Sequence, residues 1–384
     1  MWRALASNML TLLIVGFLAL VAVIAWGQRS FTGQGPLAEP IFFEVPRGAS
    51  LTRIADALEA EGAVSSAVIF RLGAQYTERE GDLKFGSYEI PAGASMADVL
   101  DILTAGGAAS FRYMATYQIR VDDAELRLRE RIPGEDRDEL VASFAPGEPV
   151  PAAYAELVAA GTPMAYRVAI AEGVTSWQIV DALRKADFLS GEIAEVPPEG
   201  SLAPDTYEVA RGGDRADIIA AMSEAQTRIL AQAWAARDAE LPLESPEEAL
   251  ILASIIEKET SVPEEREVVS SVFVNRLNRG MRLQTDPTVI YGITNGVGVL
   301  GRGLRRSELR GATPYNTYVI PGLPPTPIAN PGREAIFAAV QPAETDYIFF
   351  VADGTGGHAF SRTLAEHNEN VARWRAIERS REAN

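Results

Sequence analysis

The stretch "SIIEKETSVPEER", Ser254–Arg266, sets two carboxylates, Glu257 and Glu259, on either side of Lys258, after an apolar run and just before Pro263. A carboxyl group can protonate a leaving oxygen and later take a proton back, so a glutamate in apolar surroundings is a candidate general acid. The run leading to it, "SPEEALILASIIEKET", has Ser245 at an N-cap, Pro246 at the first helical position and acids in the first turn. That pattern predicts a helix. Its bulky face carries Leu252, Ile255 and Ile256, and Glu259, three residues after Ile256, extends it. Glu257 lies about 200° round from Glu259, on the side of Leu250, Ala253 and Ser254, so the two glutamates point different ways.

The ring of Pro263 meets the carbonyl four residues back, which is that of Glu259, so the helix is expected to end there. A helix C-terminus and an apolar face both disfavour a negative charge, and both raise a carboxyl pKa. A glutamate at its ordinary value of about 4.3 is protonated in roughly one molecule in 500 at pH 7, and each unit upward multiplies that about tenfold. From pattern alone, a solvated helix end paired with Lys258 or Arg266 remains the other reading. "SVPE" then reads as the cap of the next helix, Ser261 with Glu264, opening "EEREVVSSVFVNRLNRG".

"NRGMRLQTDPTVIYGI" offers Gly280, a strand "MRLQT", and Asp286 as N-cap with Pro287 at the first helical position. Asp286 is thus a helix cap and also a candidate second carboxylate for glycoside hydrolysis. Beyond it, "TPYNTYVIPGLPPTPIANPG" and "DYIFFVADGTGGHAFSRTLAEHN" give long loops rich in Pro, Tyr and Asn, then a hairpin around Asp353–Gly357 and a terminal helix. Such loops suit a polar, ring-shaped ligand such as a sugar.

Other chemistries are excluded or made remote. The chain has no cysteine, which removes disulfides, thiolate zinc sites and thiol nucleophiles. Its two histidines, His358 and His367, lack metal-ligand spacing, and a Ser-His pair would have to use one of them. A formal net charge of −17 argues against a nucleic-acid partner.

The elements that must position this chemistry begin at the N-terminus. Met9–Trp26 carries no charge, and its eighteen residues span about 27 Å as a helix, close to the ~30 Å hydrocarbon core. Trp2 and Trp26 bracket it and Arg3 lies on its short side. No small-residue cleavage pattern follows, so the expectation is an uncleaved anchor with 1–8 as a cytoplasmic tail and the rest outside the cytoplasm. Residues 27–40 are rich in Gly, Pro, Gln and Ser and read as a tether. A repeat then recurs four times: Gly48/Ser50/Ile54/Leu58, Gly93/Ser95/Val99/Leu103, Gly173/Thr175/Ile179/Leu183 and Gly212/Asp214/Ile218/Met222. Each is a strand end, a Gly turn, an N-cap and an amphipathic helix. An acidic, Ala-rich stretch from Gly106 to about Pro163 interrupts the series and reads as an insertion with exposed helices or partial disorder.

Taken together, "ASIIEKET", "SVFVNRL", "MRLQTDPTVIYG", "PYNTY", "GLPPTPIANPG" and "GGHAFSRTLAEHN" resemble the MltG/YceG-type endolytic murein transglycosylases, and "LAPDTYEV" at Leu202–Val209 resembles the opening of their catalytic domain. The resemblance implies an α+β fold: transmembrane helix 9–26, linker 27–40, LysM-like strand–helix module 41–106, insertion 107–163, and YceG-like catalytic domain 164–384. It implies a lyase anchored in the inner membrane by a single pass, its catalytic part periplasmic. Such an enzyme cuts nascent peptidoglycan strands between N-acetylmuramic acid and N-acetylglucosamine and leaves 1,6-anhydro ends. The implied catalytic residue is Glu259, since Glu followed by Thr resembles the Glu-Ser of other lytic transglycosylases. Gln284, Tyr315 and Asn316 are the implied sugar-binding residues. No metal or cofactor is implied; the partners are glycan strands, the membrane and the cell-wall synthases. Two rivals remain: a hydrolytic muramidase using Glu259 and Asp286, and a non-catalytic glycan-binding scaffold.

Overall fold

A computed structural model describes residues 2–46, 48–104 and 111–382. Gly106, the expected module boundary, and the side chains of Trp2 and Arg3 lie outside the described part. The chain forms two compact units. The first comprises Met1–Ala115, Arg127–Ser143 and Val150–Ala165, and the second Thr116–Leu126, Phe144–Pro149 and Tyr166–Asn384.

The chain starts with α1 (Trp2–Thr32). Its segment Met9–Thr32, with mean hydropathy 2.7, is long and apolar enough to cross a membrane. The helix runs past the expected end of the apolar segment, so the first part of the predicted tether is helical, and the tether does not hang free. Phe31 and Leu37 pack on the core of the first unit, and the Gly93 N–H donates to the Leu37 carbonyl (2.9 Å). A Cβ on Gly73 would collide with the Phe31 ring, so only glycine lets that ring lie against its helix.

Next come β1 (Ile41–Val45), α2 (Leu51–Ala60), α3 (Ala67–Tyr76), β2 (Gly86–Ile90) and α4 (Met96–Thr104). β1 and β2 pair antiparallel, Ile41 opposite Ile90, over a core that includes Phe43, Leu58, Phe70 and Leu103. The segment expected to be helical or disordered instead holds β3 (Tyr113–Ile119), β4 (Ala124–Arg131), β5 (Asp138–Phe144) and one helix, α5 (Ala152–Ala159). Its charges sit at outward positions, while Ala115, Tyr117, Ile119, Leu126 and Leu128 alternate inward. β6 (Met164–Ile170), α6 (Ser176–Lys185), β7 (Thr206–Val209) and α7 (Arg215–Ala235) follow, and the five-stranded sheet has the order β5-β4-β3-β6-β7.

The four repeats are four strand–helix units, as expected. Gly48, Gly93, Gly173 and Gly212 all adopt φ between 69° and 79°. Ser50, Thr175 and Asp214 cap α2, α6 and α7, and Ser95 and Asp98 hold each other's backbone N–H at the start of α4. The duplication extends to pairing. β6 and β7 pair antiparallel with Tyr166 opposite Val209, the same register as Ile41 opposite Ile90 once the repeats are superposed. Tyr88 and Tyr207, equivalent in "LKFGSYEI" and "LAPDTYEV", each donate a hydroxyl hydrogen bond to the carbonyl four residues back (3.0 and 2.9 Å). The second half-repeat pair is thus built like the first.

The remainder is α8 (Pro246–Glu259), a 3-10 turn (Pro263–Glu265), α9 (Arg266–Asn278), α10 (Asp286–Thr294), α11 (Arg306–Arg310), α12 (Arg333–Val340), the hairpin β8 (Phe349–Ala352) and β9 (His358–Ser361), and α13 (Leu364–Glu382). α8 is the centre of this core: Leu252, Ala253, Ile255 and Ile256 are fully buried against Phe273 of α9 and Ile336 and Ala339 of α12. The expected strand at 281–285 is absent; that segment is irregular, its backbone held by the loop at Thr317.

Candidate active site

α8 ends at Glu259, as Pro263 requires, and Thr260 turns the chain away in an extended conformation. Ser245 caps its start by accepting the Glu248 N–H (3.3 Å). Ser261 does not cap the next element: the 3-10 turn begins after Val262, and neither it nor α9 has a side-chain cap. The Thr260 hydroxyl instead accepts the Val262 N–H (3.1 Å) and donates to Glu265 Oε2 (3.2 Å). Those bonds shape the corner immediately after Glu259.

Both glutamates are held above the usual carboxylate range by burial, so burial does not separate them. Their surroundings do. Glu257 Oε2 accepts the Gly332 N–H (2.9 Å), at the N-terminus of α12, where a negative charge is favoured. Arg266 and Lys258 also draw its pKa down and Glu172 pushes it up. Glu259 instead lines an open cleft of about 440 Å³ together with Thr260, Ser261, the 352–358 hairpin, Trp374 and Arg381. The Thr285 hydroxyl donates to Glu259 Oε1. That bond and nearby His358 and Arg276 favour the ionised form, Asp286 opposes it, and burial outweighs them. The side chain is half-buried by its exposed surface, since it opens to the cleft, yet most of its surroundings are protein.

Lys258, half-buried, donates to the Gly173 carbonyl (3.2 Å); burial lowers its pKa and nearby Glu257 opposes that.

Thr285, not Asp286, stands at the N-cap position of α10, with Asp286 and Pro287 in its first turn. Asp286 is exposed and accepts the Tyr318 hydroxyl (2.7 Å), a phenol whose pKa burial and that carboxylate raise. Gln284 is also exposed and holds φ +50°, a left-handed conformation uncommon for a side chain of its size. The loop is fixed from behind by Thr317, which is fully buried and bonds the N–H groups of Gln284 (through its carbonyl, 3.1 Å) and Thr285 (through its hydroxyl, 3.0 Å). Buried Arg276 ties α9 to the carbonyls of Ile348 and Leu283.

Asn316 departs from the expected sugar contact. It is fully buried, its amide donates to the carbonyls of Glu308, Leu309 and Gly311, and its Oδ1 accepts the Tyr318 N–H (3.0 Å). With its capacity used, it shapes the loop rather than facing a ligand. Tyr315 bonds Thr326 (2.8 Å) and packs on Tyr291 (5.0 Å between ring centres); it is not among the residues lining the cleft at Glu259.

Residues that sequence reasoning missed complete the site. His358 lines the cleft, and its Nδ1 lies 2.7 Å from Glu265 Oε2, while its backbone N–H donates to Glu265 Oε1 (2.8 Å). Both side chains are largely buried, at 15% and 16% exposure. Trp374 and Arg381 of α13 supply an aromatic face and a cation to the same cleft. Among the described residues, no group of three His, Asp or Glu side chains could hold a metal ion. Chemically the cleft offers a carboxyl whose pKa burial raises, an oriented imidazole and polar backbone, which suits acid–base cleavage of a hydroxyl-rich ligand.

Comparison with known proteins bears on that chemistry. The sequence model of the YceG-like family matches residues 43–140 and 143–373. An endolytic murein transglycosylase of Bacillus subtilis (strain 168) is 39% identical over 175 residues, covering 45% of this chain and 47% of that protein. One of Streptococcus pneumoniae serotype 2 (strain D39 / NCTC 7466) is 26% identical over 351 residues, covering 85% of this chain and 57% of that protein. The chain therefore spans about half the length of the curated relatives it matches. A solved yceG-like protein of Listeria monocytogenes is 26% identical, with 86% of this chain and 99% of that chain covered and a TM-score of 0.43.

Proposed function

The chain belongs to the YceG-like family, and on that footing we propose that it is a membrane-anchored lytic transglycosylase of peptidoglycan. It cleaves within nascent glycan strands, between N-acetylmuramic acid and N-acetylglucosamine. The observation that carries this reading is Glu259: a carboxyl biased toward its protonated form by burial, at a helix end, opening into a polar cleft. Glu259 gives its proton to the glycosidic oxygen as the C1–O bond breaks. The muramoyl C6 hydroxyl then attacks C1, its proton returns to the Glu259 carboxylate, and a 1,6-anhydro end results. No water is consumed, so one carboxyl suffices. Gln284 and Tyr315, which do not line the Glu259 cleft itself, bind the glycan outside it, and Asn316 shapes the loop that carries Tyr315. The names of the bacterial relatives, endolytic murein transglycosylases, support the substrate.

The rest of the reading follows the elements. Residues 9–26 of α1 are a single-pass anchor in the inner membrane, residues 1–8 cytoplasmic and the folded units periplasmic; residues 27–40, which include the end of α1, link the anchor to a LysM-like glycan-binding module, 41–106. The β1-α2-α3-β2 order and its antiparallel pairing support that module. Residues 107–163 are an insertion whose strands share a sheet with β6 and β7, 164–384 are the catalytic domain, and cell-wall synthases are the protein partners.

The test is mass spectrometry of products from purified peptidoglycan. Wild type should give 1,6-anhydro ends and Glu259→Gln none, while remaining folded. Reducing ends alone would favour a hydrolytic muramidase with Asp286 as the second carboxylate. Unchanged cleavage by Glu259→Gln, or none by wild type, would favour a scaffold.

A further inference from the structure

His358 lines the cleft of Glu259 and is bonded to Glu265, and the single-carboxyl cycle leaves this pair without a task. Its construction is elaborate for a structural contact. Glu265 accepts three hydrogen bonds, from His358 Nδ1, the His358 backbone N–H and the Thr260 hydroxyl. A Cβ on Gly357 would lie 2.5 Å from Glu265 Oε1, so the hairpin has a glycine where the carboxylate passes. Thr260 is covalently next to Glu259, so one carboxylate fixes both the corner after the acid and the ring across from it.

The chemistry of the donors sets the tautomer. An ionised carboxylate only accepts, so Nδ1 carries the hydrogen and a neutral ring has its lone pair on Nε2. Nε2 has no hydrogen-bond partner among the described residues, while Phe350 packs edge-on against the ring (5.2 Å). The free nitrogen belongs to a side chain that lines the cleft.

Resting on the transglycosylase reading above, we propose that His358, held by Glu265, relays the proton of the attacking hydroxyl. As the glycosidic C1–O bond breaks, its electron pair goes to the leaving oxygen, which takes the proton of Glu259. The C6 oxygen forms the new bond to C1 and gives its proton to His358 Nε2. The imidazolium, stabilised by Glu265, then returns that proton to the Glu259 carboxylate, and both groups are reset with no proton gained or lost. Because Nε2 aims the C6 hydroxyl at C1, the pair also favours the intramolecular nucleophile over water.

The experiment uses the full chain in detergent micelles with purified peptidoglycan, counting 1,6-anhydro and reducing ends by mass spectrometry. His358→Ala should lose about 100-fold or more in turnover, the usual scale for a general base. Its residual products should be richer in reducing ends, and added imidazole should restore part of the rate. Glu265→Gln should act alike, because a side-chain amide can donate to Nδ1 and so place the hydrogen on Nε2. Variants that keep the wild-type rate and product ratio overturn the relay. So does a loss of rate with unchanged ratio and no imidazole rescue in a folded variant, which marks a structural role. If His358→Ala does not fold, Glu265→Gln and His358→Gln decide by the same product ratio. Reducing ends from wild type defeat the transglycosylase reading itself; anhydro ends from wild type with unaltered variants defeat the relay alone.

Discussion

Replacing Glu259 by glutamine tests the physical reason for assigning it, apart from any assay of cleavage. Burial raises its pKa above that of a glutamate in the unfolded chain, which is about 4.3. Below pH 4 the carboxyl is protonated in both states and costs nothing. As pH rises through the unfolded value and then the raised folded value, the unfolded chain releases its proton first, so the native state loses stability across that window. Each unit of upward shift costs about 1.4 kcal/mol at pH above the folded value. The Glu259→Gln side chain keeps an oxygen to accept the Thr285 hydroxyl and has no charge to bury. The variant should therefore melt above wild type at pH 8, by roughly 2–4 °C for each kcal/mol in a domain of 150–250 residues, and the difference should shrink toward pH 4. Paired calorimetric melts at pH 4, 6 and 8 read this directly, and the kcat/KM profile should fall on its alkaline side with an apparent pKa above the ordinary glutamate value. A melting difference independent of pH would mean that the carboxyl is not perturbed, and the case for a poised acid would fail.

Glu257→Gln should retain peptidoglycan cleavage within about tenfold, because Glu257 is committed to the Gly332 N–H at the start of α12; loss equal to that of Glu259→Gln would reverse the assignment. Removing residues 1–28 should give a soluble protein of unchanged melting temperature, whereas Phe31→Ala should cost about 2 kcal/mol, below the 3–5 of a fully buried phenylalanine; equal melting of Phe31→Ala and wild type would show that the packing of α1 is idle. Gly357→Ala, whose methyl would crowd Glu265, should lower turnover by about 10- to 100-fold with little loss of stability, as a small misplacement of a catalytic group does; wild-type turnover would mean that the position of Glu265 does not matter.

What the sequence made legible has a common character: it was local. The N-caps of the four repeats, the end of α8 at Glu259 and the β8–β9 hairpin each depend on residues within a few positions of one another, where propensity and capping chemistry act directly. Failures came where a local signal had two outcomes or was hidden. Ser261 and Asp286 are both good caps by type, yet Val262 and Thr285 occupy those positions, a shift of one residue that pattern cannot fix. β4 and the start of β5 were obscured because their outward positions are charged, which gave the segment the composition of an exposed helix, although β3 itself carries no charge. The predicted tether failed differently: its composition is that of a loop, but Phe31 and Leu37 pack on the first unit's core and backbone bonds to Gly93 hold it there.

The active site divides along the same line. Helix periodicity and Pro263 singled out Glu259 within its own segment, but burial raises the pKa of Glu257 as well, so the surroundings that distinguish the two come only with the fold. Asn316 was misjudged because an amide in a loop looks the same whether it faces a ligand or three carbonyls of its own chain. His358 was invisible as a partner: Glu265 lies 93 residues before it, and only the fold brings the two within 2.7 Å. One weak signal was present. A lone histidine after a pair of glycines, Gly356-Gly357-His358, suggests a backbone that must pass close to something, and that something is the Glu265 carboxylate. A glycine of this kind reports the presence of a neighbour without its identity. A buried carboxyl at a helix end was therefore readable from one helix, whereas the Glu265–His358 pair required the packing of the 3-10 turn against the hairpin.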